Sequence, residues 1–169
     1  MAFVLKLLSV LHLARSNQIK DLVLLGDVFD NWVCPAEQVP PSYDEIMSAN
    51  LEELDRLEQA VKKGINVFYI HGNHDYDLPK ALLENQVPGL QVIAAYKSGR
   101  THAEHGHLHT LFNNPDYLND PGYGRPLGYY ISRLYASSGH AMSFSDIVST
   151  LDDVIGSCFN SVHIDRVIN

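Results

Sequence analysis

Apolar and polar positions run in blocks whose lengths predict strands and helices in alternation. DLVLLGD at 21–27 is a short apolar run closed by glycine, the pattern of a fully buried strand. A Pro-bearing loop, VFDNWVCPAEQVPPSYDE, follows it. Ser42 and Glu45 then stand in the S-x-x-E spacing of a capping box, which satisfies free N–H groups at a helix start. Met47, Leu51, Leu54, Leu57 and Val61 keep one helical stripe to about Lys63. Lys62 and Lys63 suit the negative end of that helix, and Gly64 suits a left-handed cap. INVFYI at 65–70 predicts the next strand. Strand, helix and strand in about fifty residues make a βαβ unit, whose two strands are expected to be parallel.

Further along, GLQVIAAY, KSGR and THAEHGHLHT predict two strands about a glycine turn, bringing out Glu104, His105, His107 and His109 together. From about Pro115 the texture changes to Gly, Pro, Ser and Tyr. One helix is expected near 127–136. Another, after Ser145, would bury Ile147, Val148, Leu151, Val154, Ile155 and Cys158. Residues 3–16 predict a further helix leading into the 21–27 strand, with His12 on it. The organisation expected is a core over 1–114 and a helical cap or insert over 115–169.

The chain has 169 residues, the size of one domain with a sizeable core. Twelve basic against twenty acidic side chains give a net charge of -8. That balance speaks against nucleic acid, whose binding rests on clustered Lys and Arg. A small phosphorylated substrate stays open, because bound cations reverse a local field. Cys34 and Cys158 lack zinc or redox spacing and fit free thiols in a reducing compartment. No apolar run reaches the ~18 residues of a membrane span. Residues 1–14 resemble a signal peptide only superficially, with Lys6 inside the apolar stretch and His12 interrupting it. A cytoplasmic location is therefore expected.

The chemistry concentrates in two turns. GD at 26–27 and GNHD at 72–75 both follow strand C-termini on one edge of a parallel sheet, where open α/β sheets bind ligands. Asp, Asn and His are oxygen and imidazole donors, suited to Mn, Fe or Zn rather than Ca. Two such ions about 3.5–4 Å apart can clamp a phosphoryl group and activate water. Asp30 reads as a brace of its loop, and His71 and His102 as bystanders.

GDVFD at 26–30, GNHD at 72–75 and HGH at 105–107, in that order, resemble the calcineurin-like metallophosphoesterases, over roughly residues 20–110. GDVFDNW and EHGHLHTLFNNPD look most like the branch that contains UDP-2,3-diacylglucosamine hydrolases. The resemblance implies an αββα sandwich core with a helical cap, and two divalent ions, Mn foremost. Asp27 would bridge both ions; Asn73 and His105 would complete the second. His74 would contact phosphate and protonate the leaving oxygen. Asp75 would orient His74, a usual task for a carboxylate beside an imidazole, with a helix N-cap as its alternative. His107 and His12 are additional ligand candidates, and Arg125 a candidate for the substrate phosphate. Tyr123, Tyr129, Tyr130, Tyr135 and Phe144 could line a cleft, but read more simply as core or interface.

The pattern departs from the family at both ends. Its opening D-x-H has no match: SVLHLA carries Val10 in place of the Asp, and only 15 residues separate His12 from Asp27. A parallel crossover does not fit there. GHLH at 106–109 has the letters of the closing G-H-x-H, but His105 lies only 31 residues after His74. The core is thus expected to be incomplete at both ends, with one ion instead of two. The expected function is hydrolysis of a phosphoester or pyrophosphate bond on a small phosphorylated, nucleotide-linked or peripheral lipid substrate. The alternatives are a non-enzymatic binding module and, last, a nuclease. Exposed apolar surface at the incomplete edges would favour a homodimer.

Overall fold

The structure is a computed structural model and describes residues 19–137. The helix expected over 3–16, with His12, and the helix after Ser145 lie outside the described residues. Strand β1 (Asp21–Leu25) and strand β2 (Asn66–Ile70) pair in parallel, from Asp21 opposite Asn66 to Leu25 opposite Ile70. This in-register parallel pair is what the βαβ reading required. It makes both chains leave the sheet at one level. The far end is tied by Asp21, which accepts from Asn66 Nδ2 at 2.7 Å and from the Tyr96 hydroxyl at 2.6 Å.

The crossover holds the capping box at Ser42 and Glu45, but two helices instead of one: α1 (Tyr43–Ala49) and α2 (Leu51–Lys62). Asn50 breaks them. Its side-chain Nδ2 takes the Ile46 carbonyl at 2.7 Å, the acceptor its own backbone N–H would use in a continuous helix. That N–H turns to Met47 O instead. Helix α2 ends as the glycine predicted. Gly64 has φ +85°, its N–H reaches Val61 O, and Ile65 N–H reaches Ala60 O, a Schellman closure.

Helix α3 (Lys80–Gln86) leads to β3 (Gln91–Val92), which extends the sheet in the order β1-β2-β3, parallel throughout. The long strand expected from 89 to 96 is split. Only Gln91–Val92 forms within it, and a separate β4 (Tyr96–Ser98) starts at its last residue and pairs antiparallel with β5 (Thr101–Ala103). Strand β5 stops early because Gly106, at φ +85°, opens a 3₁₀ turn at His107–His109. The last described helix, α4 (Leu127–Ser137), falls where expected. Parallel sheet and helices give the mixed α/β core predicted. Among the described residues no helix is long and apolar enough to cross a membrane.

The core lies between the sheet and its crossover helices. Val67 and Tyr69 of β2 are fully buried and meet Leu54, Leu57 and Ala60 of α2, with Leu83 and Val87 closing the cluster from α3 and the turn after it. Leu57 is 2% exposed and Leu51 60% exposed on the same helix. Leu57→Ala is therefore expected to cost about 2–5 kcal/mol. Leu51→Ala should stay within about 0.5 kcal/mol. Chemical denaturation of the two variants checks this; equal losses would mean that the stripe is turned differently.

Candidate metal centre

Three loops meet beyond the ends of β1 and β2: 26–33, 71–79 and 104–109. Glycine makes the approach feasible. A Cβ at Gly72 would collide with Asp27 Oδ1, and one at Gly26 would lie 2.5 Å from His105 Cδ2. Asp27 itself has φ +54°, and among the described residues it is the only non-glycine in that left-handed region. Asp tolerates the region better than most residues, and such backbone strain clusters at functional sites. The turn aims its carboxylate between the other two loops. Oδ1 accepts the His74 backbone N–H at 2.9 Å, and Oδ2 lies 3.1 Å from His105 Nε2.

His105 is held from behind, with its Nδ1 3.2 Å from Nδ1 of His107. One of these nitrogens donates and the other accepts. Burial, and then the neighbouring His105, push the His107 imidazole below its usual range, which favours a neutral ring. When His107 accepts, the His105 proton sits on Nδ1 and its Nε2 lone pair faces the Asp27 carboxylate. Two acceptors then confront each other, an arrangement that a cation resolves. At 3.1 Å from one another, Asp27 Oδ2 and His105 Nε2 would both be able to hold one cation. Asn73 is only 4% exposed, and its side chain makes no hydrogen bond among the described residues. Its polar atoms are not sealed from solvent, so the amide stays within reach of a ligand. A cation at the Asp27 end of its loop would take its oxygen. Among the described residues no three His, Cys, Asp or Glu side chains gather as a metal site, so this donor set depends on the asparagine.

The model of the calcineurin-like phosphoesterase family matches residues 4–146. The chain belongs to that family. It is similar to the UDP-2,3-diacylglucosamine hydrolase of Hamiltonella defensa, 33% identical over 86 residues that make up 48% of this chain and 31% of that protein. It is also similar to the UDP-2,3-diacylglucosamine hydrolase of Neisseria gonorrhoeae, 31% identical over 70 residues, 41% of this chain and 26% of that protein. The chain thus spans about a third or less of the length of these curated relatives. No solved structure matches the chain with significance.

In this chain Asp30, and not Asp75, is the carboxylate beside the His74 ring. Asp75 does not turn to the imidazole. It is fully buried: Oδ1 accepts Gly72 N–H at 2.6 Å, while Oδ2 accepts Val28 N–H at 3.0 Å and the Tyr69 hydroxyl. Burial, together with the Asp75 charge, pushes the Tyr69 phenol far above its ordinary range, so it remains a donor. Nor does Asp75 cap a helix, since α3 starts after Pro79. Successive side chains in a loop diverge, and the carboxylate next to His74 in sequence points into the core. Asp30 takes the place beside the ring, its Oδ1 3.0 Å from His74 Nδ1. The same oxygen accepts Trp32 N–H at 2.7 Å and Val33 N–H at 3.3 Å, so Asp30 also braces its loop, as expected. The contact to His74 is close but off the hydrogen-bond direction, and Nδ1 makes no well-aligned bond. Burial pulls the His74 imidazole down, but the nearness of Asp30 outweighs it and leaves the ring above its usual range. The same pair holds Asp30 below the usual carboxylate range against its burial.

The remaining candidates lie apart. His109 Nε2 reaches Glu104 Oε1 at 3.0 Å on the surface, and His102 approaches the other oxygen of Glu104 at 3.7 Å. His71 braces its loop on Leu78 O at 2.9 Å. Arg125 lies over the rings of Tyr123 and Tyr129, at 4.0 and 5.0 Å from their centres. Tyr129 is buried, while Tyr123 and Tyr130 are exposed. Arg133 is buried against the 34–38 loop. Sequence reasoning missed the Asp30 pairing, the Tyr69 anchor and Trp32, whose ring stacks on His74 at 4.3 Å. A signal for Asp30 was present, three residues after Asp27 on the same loop.

Asp75→Asn should destabilise the fold by about 2–4 kcal/mol, because the amide nitrogen must face at least one buried donor. Asp30→Asn keeps an acceptor for Trp32 and Val33 and should stay within about 1 kcal/mol. Denaturation curves decide; the reverse order would return Asp75 to His74.

Proposed function

We propose that this phosphoesterase hydrolyses a phosphoester or pyrophosphate bond of a small phosphorylated or nucleotide-linked substrate, with Mn as the preferred ion and Fe or Zn as substitutes. The observation that carries the reading is the contact of Asp27 with His105, beside a loop that carries Asn73 and a His74 paired with Asp30. Asp27, Asn73 and His105 would hold the ion, with His107 fixing the ring of His105. A divalent cation held there supplies positive charge for phosphoryl oxygens and acidifies water.

The chain's own residues do the rest. With Nδ1 turned to Asp30, His74 keeps Nε2 for the substrate. A proton on that nitrogen can pass to the departing oxygen as the phosphorus–oxygen bond breaks. The nearness of Asp30 favours the charged ring until then. The His74 backbone N–H fixes Asp27 Oδ1, so ligand and acid are registered through one loop. The relatives' names support a nucleotide-linked lipid as the substrate class. Net charge of -8 supports a small substrate over nucleic acid.

A second reading, a binding module that keeps one ion without turnover, is favoured by the small donor set among the described residues. The discriminating assay is hydrolysis of bis-p-nitrophenyl phosphate with and without Mn. Wild type should turn over only with the ion. Asp27→Asn should lose at least about 100-fold in kcat with an unchanged circular dichroism spectrum, and His74→Ala about 100- to 10,000-fold on substrates with poor leaving groups. Full activity in Asp27→Asn would overturn the assignment; a folded wild type that binds Mn but hydrolyses nothing would establish the binding module.

A further inference from the structure

We propose that Trp32 is a positioning residue for His74, and that through it the docking of α4 sets the plane of the catalytic imidazole. The proposal rests on the reading of His74 given above. Trp32 is 2% exposed, yet it does not join the hydrophobic cluster beneath the sheet. It sits instead between the site and α4. One face stacks on His74 with ring centres 4.3 Å apart and planes 25° from parallel. Its ring also meets Tyr129 of α4 at 5.6 Å, nearly perpendicular. A Cβ at Gly128 would come 3.6 Å from Trp32 Cζ3, so α4 begins directly against the indole.

The loop that carries Trp32 is clamped to the same helix. Arg133 is 7% exposed and donates to Cys34 Sγ at 3.1 Å, Pro35 O at 3.1 Å, Ala36 O at 2.9 Å and Gln38 O. Ser137 Oγ accepts Ala36 N–H at 2.7 Å and donates to Glu37 at 2.9 Å. A guanidinium buried on backbone carbonyls is costly to strip from water, and here it fixes a loop that has little core of its own. Asp30 and Trp32 come from that loop and hold His74 by its edge and its face. With Nδ1 poorly aligned on Asp30, the flat indole supplies the restraint that the hydrogen bond does not. Misplacing an acid by about 1 Å can cost about 100-fold in rate.

Leaving-group dependence separates positioning from general stability. The full chain is assayed with Mn on bis-p-nitrophenyl phosphate, whose leaving group departs without a proton, and on a dialkyl phosphodiester, whose only leaving groups are alkoxides that need one. Trp32→Leu should lower kcat about 10- to 100-fold on the alkyl bond and less than about threefold on the p-nitrophenyl bond, with KM unchanged. Trp32→Phe should restore most of the loss. Arg133→Gln, which keeps the indole, should show the same asymmetry more weakly, and it serves if Trp32→Leu fails to fold. Trp32 is the single tryptophan of the chain, so its emission reports the stack without any turnover. His74→Ala should change its yield and shift it to the red. Unchanged emission in His74→Ala, or equal losses on both bonds in Trp32→Leu, would overturn the proposal. If His74→Ala itself lacks the asymmetry, or wild type cleaves neither bond, the acid role of His74 falls and the catalytic role of Trp32 falls with it.

Discussion

The carboxylate of Asp75 is the knot on which the site depends. It gathers Gly72 N–H and the Tyr69 hydroxyl from the second strand and its loop, and Val28 N–H from the loop of the first. Two loops leaving a parallel sheet have no backbone reason to stay together once the ladder ends. A buried acceptor with donors from both supplies that reason, and charged acceptors make the stronger hydrogen bonds. With the loops fixed, Gly26 and Gly72 can touch, and Asp27 can hold a left-handed backbone between them. The placing of Asp27 is thus a consequence of a buried carboxylate on the neighbouring loop.

The sheet serves the site by register. Because Leu25 is opposite Ile70, the residues that follow each strand emerge level with one another. A shift by one residue would send Asp27 or Asn73 to the other side of its loop. The third loop arrives from the β4–β5 hairpin, and Gly106 turns it so that His105 faces Asp27 while His107 backs it. From the other direction α4 reaches the site through the 30–38 loop. The segment after the core is therefore attached to the chemistry, and not only laid beside it.

The strands and the sheet edge were legible because buried apolar runs and a glycine stop leave few alternatives for their direction. Asp27, Asn73 and His105 could be proposed as partners from their places after those strands. The break at Asn50 was not legible: whether an Asn side chain competes for a carbonyl depends on the burial of its neighbours, not on helical period. The carboxylate partner of His74 was misassigned for a related reason. Asp30 and Asp75 both flank His74 within reach of a short loop, and only the call of buried donors for an acceptor decides which turns inward. Trp32 could not be assigned to a helix that starts 95 residues later by any local pattern, since its contacts with Tyr129 and Gly128 exist only in the folded chain.

The central claim is that Asp27 anchors a divalent cation at the end of β1. Elemental analysis of the full chain, loaded with Mn and desalted, beside Asp27→Asn prepared in the same way, addresses it most directly. At least one ion per wild-type chain, lost in the variant, is the result predicted. Equal metal in the two, or none in a folded wild type, would contradict it.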